Sequence, residues 1–458
     1  MTRSYIVQQP DLAEKRDSRN LLIWRDVPHW MVVDDEALSV IRRSEQGCDV
    51  NQLADSIAET RGTTRGRVLP DVNELMAQLE HVGIAYRKRP KRMPLSRRPV
   101  LENVTINVTH RCNLRCVHCF FDPTMDVTGH LEVRDLERFL KQGRRYIHKN
   151  VNFAMLGGEP LLEKERTLAI AEVTLAWGGD TVVSTNGTLV DADFAKRARE
   201  LGLMVQVSLD GSCPEVNDAV RGKGSFEKAL KGVGILVESG THTTLNMVVQ
   251  RSNIHDIEEF YDLSKRLGTD EVRFIGLNMM GRARTGGLEP VPKIEVVQAL
   301  HDLIRSHPDA GKRMRRDYFT ILKTTCSTSN RRFYCGTGLK TMLIDSDGEV
   351  YPCPNHRLPE FRCGKISERS FQDIWVRSPM LTKLRAIYDL EDNNAECEQC
   401  PIKHWCMGGC RGETYENTQN LRGPSIRCQE NRSVITEMMW LLASEGEITQ
   451  DSDRTEYF

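Results

Sequence analysis

The sequence predicts an α/β chain with a parallel sheet at its centre and a smaller unit at each end. Three observations carry this. Strand-like and helix-like runs alternate six times from about residue 103 to residue 310. Two apolar runs around a turn, then helical stretches, precede that rhythm. After it come nine cysteines between Cys326 and Cys428, with several glycines and only short periodic segments.

The bulk composition narrows the class. A chain of 458 residues suffices for two or three domains, each with its own core. Hydrophobic residues make up 39% and charged residues 28%, and the net charge of −1 gives no global field for a nucleic acid or membrane partner. No signal-like h-region follows "MTRSYIVQQP" and no apolar run approaches 18 residues, so a cytoplasmic protein is expected. In that compartment thiols stay reduced, and fourteen cysteines point to metal or redox chemistry. Only Cys48 and Cys213 lie outside the groups Cys112–Cys119 and Cys326–Cys428. Those two read as buried or idle thiols.

Residues 1–88 read as a winged helix-turn-helix-like unit. "NLLIWRDVPHWMVVD" has two apolar runs around Asp26 and Pro28, as in a hairpin. "DVNQLADSIAET" sets Val50, Leu53, Ala54 and Ile57 on one helical face, and "PDVNELMAQLEHVG" does the same with Val72, Leu75, Met76 and Leu79. Pro70 fits a first helical turn, and Gly83 a helix end. The second segment carries Asp71, Glu74 and Glu80 but no lysine or arginine, so DNA recognition is not expected. A peptide added to the hairpin as a strand is the favoured role, and a structural cap on the sheet is the plain one. A basic, proline-rich linker over 89–100 follows, and 441–458 reads as a tail.

Candidate strands at 103–109, 151–156, 180–185, 203–209, 241–249 and 271–277 alternate with amphipathic helices such as "DADFAKRARELG". Such βα repeats imply a parallel sheet over 101–310, either open and doubly wound or curled into a partial barrel. "THRCNLRCVHCF" follows the first strand and sets Cys112, Cys116 and Cys119 on one loop, with no fourth cysteine nearby. A structural zinc site closes with four ligands, whereas a three-thiolate iron–sulfur cluster leaves one iron open. Strand C-terminal ends are also where barrels carry chemistry.

"CNLRCVHC" resembles the signature of radical S-adenosylmethionine (SAM) enzymes. The resemblance implies a partial (β/α)6 TIM-like barrel. "MLGGEP" then resembles the motif holding the SAM amino group, through Gly157, Gly158 and Glu159; paired glycines let backbone approach a ligand. "STNGT" and "VSLDG" are similar to positions around the SAM ribose, which implies Ser184, Asn186, Ser208 and Asp210, although Asp210 alone also suits a turn cap. Arg221 in "VRGKGSF" stands where relatives pair an arginine with the SAM carboxylate. His118 reads as a packing residue beside the cluster.

The later cysteines resemble the SPASM extension, expected over 311–440, which implies two auxiliary [4Fe–4S] clusters. Cys397, Cys400, Cys406 and Cys428 would hold one. Cys335, Cys353 and Cys410 would hold the other, with Cys326 as its fourth ligand and Cys363 as the rival. The cofactors implied are thus three [4Fe–4S] clusters and SAM. Residues 1–88 resemble the PqqD-like fold that binds leader peptides of ribosomally made natural products. Together these imply an enzyme that takes a precursor peptide, draws an electron from a donor such as flavodoxin or ferredoxin, and forms a thioether or carbon–carbon crosslink. The alternatives are a maturase of an enzyme subunit, of crosslinking or sulfatase type, a heme-type small-molecule enzyme, and a non-catalytic zinc-ribbon and winged-helix interaction protein. Sulfatase-type relatives carry an acid directly after YPC, where this chain has Pro354.

Overall fold

The computed structural model describes residues 4–27, 29–45, 47–86, 98–120, 129–314, 335–387 and 395–444. Pro28, most of the basic linker, Cys326 and the tail after residue 444 lie outside the described residues.

Two small sheets and three helices form the N-terminal unit. β1 (Ser4–Val7) lies between β5 (Cys48–Asp49) and β6 (Ala85–Tyr86). β2 (Leu12–Arg16), β3 (Arg19–Trp24) and β4 (His29–Asp34) form an antiparallel meander, whose second hairpin is the one expected. Helix Asp35–Arg43 starts where the Asp34 carboxylate accepts from Ala37 N, and helix Val50–Arg61 stops at left-handed Gly62.

The third helix corrects the sequence reading. It runs Arg65–His81, so Pro70 is interior, and Arg65 and Arg67 join a helix that the sequence placed at residue 70 and counted free of lysine and arginine. Pro70 removes one backbone donor there. The apolar repeat continues back to buried Val68 and carries the helix through it. Arg65 is paired with Asp55, 3.3 Å away.

β3 is buried on both faces, which decides how this unit sits. Leu22 and Trp24 face the N-terminal core with Tyr5, Leu53 and Met76. Leu21 and Ile23, with Trp30 of β4, face the main core of the chain. The docking partner includes the C-terminal helix Cys428–Ser444: Trp440 Nε1 donates to Glu14 (3.0 Å), and Arg16 pairs with Glu437 (2.7 Å) while lying over the Trp440 ring.

The expected parallel sheet forms from β7 (Leu101–Asn107), β8 (Ile147–Leu156), β9 (Gly178–Thr185), β10 (Met204–Ser208), β11 (Thr243–Val249) and β12 (Glu271–Gly276). They lie side by side in chain order, every neighbouring pair parallel. Alternate residues such as Val183, Val205 and Val207 are fully buried, while Ser184, Gln206 and Ser208 between them are half-buried on the other, inner face.

The C-terminal segment extends this sheet. β13 (Thr341–Ile344) pairs parallel to β7, and β14 (Glu349–Tyr351) and β15 (Gly364–Lys365) follow antiparallel, giving nine strands in one open sheet. The expectation of little apolar core in this segment is overturned. Met342, Ile344, Val350, Phe371, Trp375 and Met439 enter the main core, and Leu343, Tyr351, Phe361, Leu384 and Ile387 form a second one. Short strands supply Met342, Leu343, Ile344, Val350 and Tyr351, and most of the rest come from helical segments of three to nine residues, so periodicity alone understates them.

Trp30 is 2% exposed and belongs to the main core, so Trp30→Ala should cost the full chain about 3–5 kcal/mol in urea unfolding. A cost below about 1 kcal/mol would mean that the N-terminal unit is not seated on that core.

Candidate active site

The loop carrying Cys112, Cys116 and Cys119 leaves the C-terminal end of β7 and has neither helix nor strand between residues 108 and 120. Its polar groups must therefore find partners elsewhere. The strand-end motifs supply them.

The segment Gly157–Glu159 after β8 lies directly against the loop. Gly158 N donates to Thr109 O (2.7 Å) and Glu159 N to Arg111 O (2.8 Å). A Cβ at Gly157 would overlap Thr109 O, and one at Gly158 would overlap Arg111 O. Gly157 also has φ of +138°, a conformation that favours glycine. The glycines thus admit the cysteine loop's own backbone, where the sequence reading invoked the approach of a ligand. Glu159 is fully buried, and its carboxylate accepts from Thr185 Oγ1 (2.6 Å), Asn186 N (2.8 Å) and Leu161 N (3.0 Å). Burial raises its pKa against the pull of those bonds.

Asn186, after β9, donates from Nδ2 to Asn113 Oδ1 (2.8 Å), and Asn113 Nδ2 donates to Thr188 Oγ1 (2.8 Å). Asn113 lies between Cys112 and Cys116, so "STNGT" grips the loop between two thiols. Ser184 accepts from Gln206 Nε2 (3.2 Å), whose amide oxygen accepts from Arg273 (3.2 Å). Ser208 is in register with Asn246 of β11.

Asp210, after β10, is fully buried. Its Oδ2 lies 2.7 Å from Arg221 Nε and 3.3 Å from His118 Nε2, while Oδ1 accepts from Val248 N (2.9 Å). It joins β10, β11, the helix Pro214–Arg221 and the cysteine loop, and caps no turn. Burial disfavours the Arg221 charge, but neighbouring Asp210 outweighs it and raises the guanidinium further; burial holds His118 low. Of the thiols, Cys112 is exposed, Cys119 half-buried and Cys116 buried. Val117 N donates to Val220 O, and Arg282 N to Cys119 O (3.0 Å each).

In the C-terminal segment Cys397 lies within electrostatic reach of Cys400, Cys406 and Cys428. Cys335 and Cys353 share Thr337 Oγ1 (3.1 and 3.5 Å), and Cys353 is close to Cys410, which accepts from Asn355 Nδ2 (2.9 Å). Burial pushes the Cys397 thiol up to about 11 and Cys353 to about 12, so each stays protonated unless a cationic centre displaces the proton. Cys363 does not join them. It is buried in the main core, bonded to Phe361 O and pushed by burial up to about 12, with Ser378, Glu349 and Arg385 as its neighbours. Cys48 is buried in the N-terminal core, and Cys213 precedes the helix Pro214–Arg221.

The donor sets suit iron–sulfur clusters. A four-thiolate zinc site holds its sulfurs about 3.8 Å apart. Among the described residues no group of three or more Cys, His, Asp or Glu is arranged to hold a single metal ion. Cys112, Cys116 and Cys119 lie within electrostatic reach of one another, and thiolates are the ligands of iron–sulfur clusters.

The network around Asp345 has no counterpart in the sequence reading. Asp345 follows β13 and accepts from His110 Nε2 (2.6 Å), Asn107 Nδ2 (2.8 Å), Arg357 Nε (2.7 Å) and Ser346 N (2.9 Å). The only signal was its place near "YPC"; its partners lie 235 and 238 residues earlier.

Residues 106–264 match the sequence profile of the radical SAM superfamily, and residues 335–401 that of the SPASM iron–sulfur cluster-binding domain. The chain is 30% identical over 332 residues to mycofactocin maturase MftC of Mycolicibacterium smegmatis, covering 71% of this chain and 82% of MftC. It is 26% identical over 353 residues to a cysteine-type anaerobic sulfatase-maturating enzyme of Clostridium novyi, covering 70% of this chain and 91% of that enzyme. The fold is similar to that of Streptococcus suis SuiB bound to its precursor peptide SuiA, with a TM-score of 0.58 at 16% identity, over 93% of this chain and all of that one. Among the described residues no helix is long and apolar enough to cross a membrane. With the cysteine loop, the strand-end motifs and these similarities together, the chain belongs to the radical SAM superfamily of enzymes and carries an SPASM domain.

Proposed function

We propose that this enzyme modifies a ribosomally made precursor peptide, forming a thioether or carbon–carbon crosslink. The observation that carries the reading is the loop of Cys112, Cys116 and Cys119, three thiols without a fourth, held by successive strand ends at the C-terminal edge of the sheet. In this reading those thiolates hold a [4Fe–4S] cluster that binds SAM. When bound, the pair supplies a 5′-deoxyadenosyl radical able to remove hydrogen from an unactivated carbon.

The residues expected around SAM divide by the part of it they serve. Ser184, Asn186, Ser208 and Asp210, at the C-terminal ends of β9 and β10, take the ribose. Gly157, Gly158 and Glu159, which also set the loop's shape, offer acceptors that suit the SAM amino group, and the Arg221 guanidinium donates to its carboxylate. Cys397, Cys400, Cys406 and Cys428 hold one auxiliary cluster, and Cys335, Cys353, Cys410 and Cys326 hold the other. A flavodoxin- or ferredoxin-type donor delivers the electron.

Residues 1–88 take the leader peptide in a PqqD-like manner. The meander leaves β2 and β4 as its edges, where an extended peptide gains main-chain hydrogen bonds. Support comes from the maturase similarity and from a SuiB-like fold spanning 93% of the chain, which reaches into this unit. Arg25 Nη1 donates to Gln399 (2.8 Å), between Cys397 and Cys400, so the unit abuts an auxiliary-cluster loop. The sulfatase-type alternative lacks its acid: Pro354 opens the turn after Cys353.

Replacing Cys112, Cys116 and Cys119 with alanine should lower iron from about 12 to about 8 per chain and abolish 5′-deoxyadenosine formation. Persistent SAM cleavage would refute the assignment, and zinc in place of iron would refute the enzyme's cofactor. Gly158→Ala should displace the loop at Arg111 and lower SAM cleavage by at least about 100-fold in a chain that still binds auxiliary iron. Hydrogen exchange of the full chain with a full-length precursor should slow at residues 12–16 or 29–34. No change anywhere in 4–86 would sink the leader-binding reading.

A further inference from the structure

Two buried acidic residues of the barrel hold the cysteine loop from the strand ends of β8 and β10, Glu159 through its backbone N–H on Arg111 O and Asp210 through its carboxylate beside His118. Asp345 is a third, and it comes from the SPASM segment. It sits at the C-terminal end of β13, the parallel neighbour of β7, so it reaches the loop from the side opposite β8. Its residue is 1% exposed.

Three of its four donors divide between two stretches of chain, the fourth being the adjacent Ser346 N. Asn107 and His110 belong to the turn out of β7, and His110 is two residues from Cys112. Arg357 belongs to the loop after Cys353, and its Nη2 lies 3.1 Å from both ring nitrogens of His110. The preceding His356 has Nδ1 3.2 Å from Cys353 Sγ. A tight turn fixes the carboxylate, with Asp345 N donating to Glu349 O and Gly348 N to Asp345 O (2.8 Å each). Burial opposes its charge, but the His110 bond and the His110 and Arg357 charges outweigh it and hold the carboxyl well below the usual carboxylate range. A charge this enclosed and multiply bonded resists displacement, and the loop it holds is constrained with it.

We propose that Asp345 is a positioning residue through which the SPASM domain sets the conformation of the loop bearing Cys112, Cys116 and Cys119. Completion of the SAM site then depends on a strand that follows the barrel by more than 60 residues. The inference rests on those cysteines being the SAM-cluster ligands. The geometry also links the Cys112 loop to the Cys353 loop through one carboxylate, so the two cluster-bearing loops keep one relative placement.

Asp345→Asn keeps the shape but leaves one oxygen to serve donors that now share two. In the full-length chain without metal, hydrogen exchange at residues 107–116 should quicken by about tenfold while residues 147–156 keep their rate. In the reconstituted chain the dissociation constant for SAM should rise at least about tenfold, as for other lost supports of metal ligands, with the electron paramagnetic resonance signals of the auxiliary clusters unchanged. Wild-type exchange at 107–116 overturns the proposal. So does faster exchange with wild-type SAM affinity, which would make Asp345 structural only. If the variant does not accumulate as folded protein, His110→Gln, which removes one partner from a partly exposed position, should move both quantities in the same direction, and no movement overturns the proposal. Failure of the ligand reading is distinct: the triple cysteine variant would then keep its iron and its SAM cleavage.

Discussion

A loop without helix or strand has to have its polar groups satisfied from outside, and in this enzyme that loop carries Cys112, Cys116 and Cys119. Much of the barrel's C-terminal edge is arranged around that requirement. Gly157 and Gly158 lack side chains because the loop's carbonyls occupy the space. Asn186 and Thr188 spend their amide and hydroxyl on Asn113, and Asp210 meets His118. Each motif is adjacent to a strand that the sheet holds rigid, so the loop inherits precision from elements that are themselves regular. Three thiols can then stay fixed in place while one of them remains exposed.

The second organising feature is the use of both faces of a single strand. β3 sends Leu22 and Trp24 one way and Leu21 and Ile23 the other, a period-2 pattern with no solvent side. The N-terminal unit is therefore welded to the helix Cys428–Ser444, which starts at a candidate cluster ligand. Ion pairs such as Arg16 with Glu437 are half-exposed and add little by themselves. The apolar face accounts for the attachment.

Most of the fold was legible because its signals are local. The six barrel strands show in alternating or continuous apolar runs, and "DADFAKRARELG" folds as the helix Ala192–Leu201 with its Asp191 cap and Gly202 stop. The cysteine spacing and the strand-end motifs were equally plain. Pairing across long sequence separation was not: nothing in "TMLI" says that it lies beside Leu101–Asn107, and so Asp345 went unnoticed. Pro70 misled because proline usually opens a helix, yet the apolar repeat ran through it. The paired glycines were recognised, but the loop carbonyls packed against them were not, since a gap made for backbone looks the same in sequence whether ligand or protein fills it.

The outward face of β3 bears on how such enzymes diversify. A recognition unit joined only by a tether can be exchanged for another by recombination at the tether. One whose central strand completes the host's core cannot, unless the incoming strand repeats bulky apolar residues at the positions of Leu21, Ile23 and Trp30. Under the leader-binding role proposed above, new peptide specificity arises by substitution on the unit's exposed edges, and chimeras built from related enzymes will need to carry the unit and its docking helix together.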